Sequence, residues 1–149
     1  MGCVPFLESI YRAAPTAHVE KLLPAAREAG VENILVDPGV LDMAGIGWTA
    51  LAIEEIKERT GYPVGCAPSN ALYNWKRSKG LGTPAFEAAA GAGFSYLLKS
   101  GADFLFYGPI ANAHWALPAC AAADAVRTYA ARLDGVRPKS REHPLMRFL

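Results

Sequence analysis

Asn33-Ile-Leu-Val-Asp37-Pro-Gly39, Pro63-Val-Gly-Cys66-Ala-Pro-Ser-Asn70 and Asp103-Phe-Leu-Phe-Tyr107-Gly-Pro109 share one pattern: an apolar run that ends in Gly, Pro, Asn or Asp and leads into a helix. The runs begin 30 and then 40 residues apart. Strand-like runs that alternate with helical stretches at this interval predict βα units around a parallel sheet. In such folds the strand C-termini open on one side, and ligands bind there. Asp37, Asn70 and the turn from Gly108 to Asn112 are therefore expected to converge on one site.

The segments between the runs read as helices. Residues 16–29 predict one, with Thr16 as a candidate N-cap, Val19, Leu22, Leu23 and Ala26 as its apolar side, and Pro24 as a kink or restart. From about Gly47 a second helix places Ile46, Ala50, Ile53 and Ile56 on one face, with Glu54/Glu58 and Glu55/Arg59 on the other. Asn70 to Gly82, with Tyr73, Trp75, Lys76, Arg77 and Lys79, reads as an inserted lid or ligand wall. Further helices are predicted from Pro84 to Lys99, and around Ala122, Val126, Tyr129 and Leu133 up to Gly135. The run Asp103 to Tyr107 is apolar enough for a strand covered on both faces. Three βα units are legible, and at most a fourth, degraded strand in Gly2 to Leu7. A closed (β/α) barrel needs about eight units and ~250 residues. The expected organisation is an unplaced segment over 1–15, an α/β body over 16–135 and a tail over 136–149.

Composition narrows the class. The chain has 149 residues, 52% of them hydrophobic, and a net charge of +1, which suits one globular domain and gives no basic patch for nucleic acid. Cys3, Cys66 and Cys120 are odd in number and far apart, which suggests a reducing compartment, with the cytoplasm as default. No stretch reads as a leader, and none reaches the ~20 consecutive apolar residues of a membrane helix.

Several residues could carry chemistry. Asp37 could cap its own turn or accept two hydrogen bonds from an amidine-like edge such as a pterin or guanine ring. Asn70 and Ser69 could be helix caps, or Asn70 could hydrogen-bond a ring nitrogen. Cys66 reads as buried and inert. Asn112 and His114 follow the third run and could contact a ligand, with His114 as proton donor or acceptor. Cys66, His114 and Cys120 lack metal-ligand spacing, so no metal site is expected. There is no Gly-x-Gly-x-x-Gly and no phosphate loop. The triplet Arg141-Glu142-His143 reads as surface.

Taken together, these runs, with Trp75-Lys76 and Gly101-Ala-Asp103, resemble the C-terminal half of the MtrH family of tetrahydromethanopterin S-methyltransferase subunits over roughly residues 20–135. The order and spacing of the motifs carry the resemblance; no single motif does. It implies a partial (β/α) TIM-type barrel of three to four C-terminal βα units with parallel strands. It also implies methyl transfer between N5 of a reduced pterin, tetrahydromethanopterin or tetrahydrofolate, and a corrinoid (cobalamin) carried by a partner protein. By that resemblance Asp37 would hold the pterin's amino and ring N–H groups and Asn70 would act at N5 as the catalytic residue. Ala67 and Ser69 would line one pterin face, and Gly108, Ile110 and Asn112 the opposite wall. An exposed sheet edge would call for a homo-oligomer or the missing N-terminal half-barrel. Two other readings stand beside it: a non-catalytic assembly partner, and an unrelated small α/β enzyme that uses His114 as acid or base.

Overall fold

The computed structural model describes the backbone of residues 5–148 and the side chains of 15–147. Its elements in order are α1 (Pro5–Glu28), α2 (Gly45–Thr60), β1 (Gly65–Cys66), α3 (Ser69–Lys79), α4 (Thr83–Lys99), β2 (Phe104–Leu105), α5 (Ala113–Ala131) and α6 (Leu145–Phe148). Short 3-10 turns flank α5 at Ile110–Asn112 and Arg132–Asp134.

The three apolar runs lie side by side in sequence order and parallel. Val36 bridges Val64, and β1 pairs with β2 through Gly65 with Phe104 and Cys66 with Leu105. Regular pairing is much shorter than the runs themselves, because each leaves the sheet at its Pro or Gly within two or three residues of the paired stretch. The run at 33–37 contributes only the Val36 bridge. Lys57 fastens the N-terminal end of the sheet to α2, donating at 2.7 Å to both Gly101 O and Asp103 Oδ1. The other carboxylate oxygen of Asp103 accepts the Val64 N–H at 2.9 Å.

In a parallel pair matched residues point to the same side. Ile34, Val36, Val64, Cys66 and Leu105 share the side that packs on the helices, in one core with Ile46, Ala50, Ile53 and Ile56 of α2 and Phe94 and Leu97 of α4. Leu35, Phe104 and Phe106 lie on the other side. Leu35 is 62% exposed and Phe106 55% exposed, so the third run is covered on one face only. The sheet therefore has a helix-covered face and an open apolar one.

Several expectations need correction. α1 runs without a break through Pro24 and also through Pro15; Thr16 is buried inside it and is not its N-cap. Leu22 is exposed while Val19 and Leu23 are buried. No strand forms from Pro5 to Leu7, which open α1; the rest of that expected strand, with Cys3, lies outside the described residues. The 70–82 stretch, read as an inserted lid or ligand wall, is mostly α3, closed by Gly80 in the left-handed region. On α5 and the 3-10 turn after it the apolar residues expected on one packed face point outward: Val126 is 72% exposed and Tyr129 and Leu133 are also exposed, while Ala116 and Ala125 are buried. Small residues let α5 lie close against α4, where Gly91 sits so near that an added Cβ would be 3.4 Å from Ala119. A reading by residue size picks the wrong stripe.

Candidate functional site at the strand ends

Neighbouring parallel strands lie ~4.8 Å apart. The exits at Asp37, Ala67 and Phe106 therefore span roughly 10 Å across the sheet, with Asp37 level with Gly65 and so two residues, about 7 Å, short of Ala67 and Phe106. Asp37 follows Val36 directly, and its Oδ1 accepts the Gly39 N–H at 2.7 Å. The turn-capping reading is thus realised, yet it uses only one lone pair. The carboxylate is exposed, and among the described residues Oδ2 has no hydrogen-bond partner. Gly39, at φ +81, lets the chain turn, and Thr49 Oγ1 donates to Gly39 O at 2.7 Å, which fixes the loop to α2. Asp42 Oδ1 accepts the Gly45 N–H at 2.6 Å and so closes the loop onto α2.

Ser69 and Asn70 form the first turn of α3, which is capped by neither side chain. Ser69 is buried and its hydroxyl donates to Phe106 O, stitching the exit of β1 to that of β2. Asn70 is exposed and makes no side-chain hydrogen bond among the described residues. Its amide is free to meet a ligand from the helix N-terminus.

The Gly108–Asn112 wall is a locked structure. Asn112 is buried, with Nδ2 donating to Tyr107 O at 2.7 Å and Oδ1 accepting from Tyr73 OH at 2.8 Å. Both ends of its amide are committed, so it holds the wall rather than offering a contact. Gly108 sits at φ +80 against this lock, and a Cβ there would lie 3.2 Å from Ser69 Cβ. Ile110 projects from the turn and is 81% exposed; Ala67 is half-buried. Of the seven predicted residues, Asp37 and Asn70 thus keep free polar groups, Ala67 and Ile110 offer apolar surface, and Ser69, Gly108 and Asn112 make the frame. Sequence reading misses the part played by Tyr73, which falls within the expected lid. Its spacing of four from Ser69 places it on the same helix face, a signal that could have found it.

Cys66 lies beneath the edge. Burial, with the charge of Asp37 adding to it, pushes its thiol up to about 12, so it is protonated and inert at neutral pH. His114 opens α5. Its Nδ1 lies 2.6 Å from Ala111 O and its Nε2 3.0 Å from Glu87 Oε1, and the bond to Ala111, then that to Glu87, raise its pKa above the ordinary 6.5. A carbonyl and a carboxylate can only accept, so both contacts are hydrogen bonds only when the ring is protonated. That suits a clamp between α4 and α5 better than a proton shuttle. Among the described residues no three His, Cys, Asp or Glu side chains gather as a metal site, and no helix is long and apolar enough to cross a membrane. A cleft of about 400 Å³ is lined by the loop that follows Asp37, Pro38 to Asp42, together with Pro15 and Trp48. It begins beside Asp37 but includes neither Asn70 nor Gly108.

The sequence model of the family described as tetrahydromethanopterin S-methyltransferase MtrH subunit matches residues 7–139. The chain belongs to this family. Among curated proteins it is 33% identical over 132 residues to the same tetrahydromethanopterin S-methyltransferase subunit of Methanothermobacter thermautotrophicus, covering 86% of this chain and 42% of that protein. It is 32% identical over 142 residues to the counterpart from Methanococcus maripaludis, covering 86% of this chain and 44% of the relative. The chain thus spans less than half the length of these relatives.

Proposed function

We propose that the chain is the pterin-binding part of a methyltransferase, acting on N5 of a methylated reduced pterin at the strand-end edge. The observation that carries this reading is the pair of uncommitted polar groups, the Asp37 carboxylate and the Asn70 amide, on adjacent strand exits of a family member. The names of the relatives favour tetrahydromethanopterin over tetrahydrofolate as the pterin. Asp37 accepts from the pterin's amino and ring N–H groups, for which a carboxylate with a free oxygen is suited. Asn70 hydrogen-bonds N5, where charge changes as the methyl leaves, so its bond strengthens towards the transition state. A corrinoid on a partner protein would supply the cobalt that takes or gives the methyl group. The chain's own residues orient the pterin and stabilise charge at N5.

The open apolar sheet face supports a (β/α) barrel in which Leu35, Phe104 and Phe106 turn inward once further βα units, on the same or another chain, cover them. It equally suits a non-catalytic assembly partner, and the ligand titration separates the two. A cytoplasmic location, free or at the periphery of a larger complex, fits this reading.

The test is a fluorescence titration with methyl-tetrahydromethanopterin and methyl-tetrahydrofolate, followed by methyl-transfer assays with a corrinoid protein. Asp37→Ala should weaken binding roughly tenfold or more, as expected for a lost charge-assisted hydrogen bond of about 1.5–3 kcal/mol. Asn70→Ala should lower the transfer rate far more than it lowers affinity. A pterin affinity that ignores both substitutions would overturn the reading, and no pterin affinity at all would favour the assembly partner.

A further inference from the structure

About 28 Å from the strand ends, at the far end of the 19-residue α5, the chain reverses and builds a second concave surface. Gly135 at φ +80 makes the reversal, with its N–H bonded to Arg132 O and the Val136 N–H to Ala131 O. The returning tail is pinned in two places. Leu145 is buried, and the His143 ring bridges the Leu145 N–H at 3.1 Å and Thr128 Oγ1 at 3.3 Å. Because Nδ1 accepts from a backbone N–H, Nε2 carries the proton and donates to Thr128. Between the α5 end and the pinned tail lies a cleft of about 330 Å³ lined by Arg132, Arg137, Lys139, Ser140 and Arg141.

The charge here is unlike that of the rest of the molecule. Residues 132–147 hold five Lys and Arg against two carboxylates, in a chain of net charge +1, so the remainder is net acidic. Outside this segment Arg59 pairs with Glu20 and Glu55 and Arg127 with Asp124, while Arg27 and Arg77 donate to Tyr62 and Asn74; within it Arg147 pairs with Glu142. Among the described residues no carboxylate pairs with Arg132, Arg137, Lys139 or Arg141; Arg132 only stacks on Tyr129. Four unpaired cations on the walls of one fixed cleft repel one another, and an anion bound between them would relieve that repulsion. Planar guanidinium groups match phosphate oxygens two at a time, and a hydroxyl such as Ser140 adds a neutral donor.

We infer that this cleft binds a phosphate-bearing group with more than one negative charge. The site is distinct from the strand-end edge and does not depend on the pterin reading. Two sources share the chemistry: a free phosphate ester and a lipid headgroup.

Calorimetric titration of the whole chain with inorganic pyrophosphate should show saturable binding. The variant Arg137→Gln/Arg141→Gln should weaken it at least tenfold, and Lys139→Gln alone, in an exposed side chain, about threefold. Lys21→Gln, on α1, should leave it unchanged. Co-sedimentation with phosphatidylglycerol vesicles, against phosphatidylcholine vesicles, separates the sources. Vesicle binding that pyrophosphate displaces and the double variant loses assigns the site to a headgroup. Pyrophosphate binding without vesicle binding assigns it to a free ester. No saturable binding of either probe, or binding that all these variants retain, overturns the inference; Lys139→Gln decides if the double variant does not fold.

Discussion

His114 shows how one residue can be diverted from chemistry by its neighbours. Its two ring nitrogens face Ala111 O and Glu87 Oε1, and both contacts favour the imidazolium. A group whose pKa is raised on folding adds stability that is complete below its unfolded value, ~6.5. That stability is lost as pH rises through the folded value. The tie between α4 and α5 should therefore loosen on the alkaline side of 6.5, not the acid side. A proton NMR titration of the His114 ring is expected to give a midpoint above 6.5, and Glu87→Gln should bring it down. A midpoint at or below 6.5 in the unsubstituted chain would return His114 to the pool of acid–base residues. Asp37 is the converse case: its local cap and its availability to a ligand coexist, because one oxygen serves the turn and the other faces solvent.

Among elements, the wall after β2 depends on α3 through two hydroxyls. Tyr73 OH donates to Asn112 Oδ1 at 2.8 Å, while Ser69 reaches Phe106 O from the same helix. Tyr73→Phe would leave the buried Asn112 oxygen without a donor, at a cost of about 1–3 kcal/mol. It should lower the melting temperature by several degrees while the packing of the ring on Phe86 survives. An unchanged melt would mean that the lock holds through Asn112 Nδ2 and Tyr107 alone. Legibility in the sequence divides along the same physical lines. The stripe Ile46, Ala50, Ile53, Ile56 is readable because large apolar residues at helical spacing have one place to go. The α5 stripe is not, because its buried positions include Ala116 and Ala125, with Ala119 against Gly91 of α4, and small residues carry little hydrophobic signal at any spacing. The strand exits at Asp37 and Asn70 can be found from Pro and Gly punctuation. Which of the polar residues there are consumed by the frame depends on tertiary partners such as Tyr73, 39 residues from Asn112, that no local pattern announces.

For the molecule as a whole, the governing asymmetry is a sheet clothed by helices on one side and bare on the other. Leu35, Phe104 and Phe106 lie together on the bare side, with the Phe104 and Phe106 rings in edge contact at 5.4 Å. An apolar patch of this kind, bounded by exposed strand edges, promotes association unless something covers it. Leu35 and Phe106 take almost no part in the helix-side core, so charge placed there should spare the fold. The chain alone in solution is therefore expected to bind an apolar dye and to sediment with a concentration-dependent mass. Leu35→Asp/Phe106→Asp should abolish both while leaving the helical circular dichroism and the cooperative melt unchanged. A chain that remains monomeric and dye-free at all concentrations would show the face to be closed in solution. The inward-facing role given to these three residues would then have to be abandoned, whereas the strand-end edge, which rests on Asp37 and Asn70, would stand on its own titration.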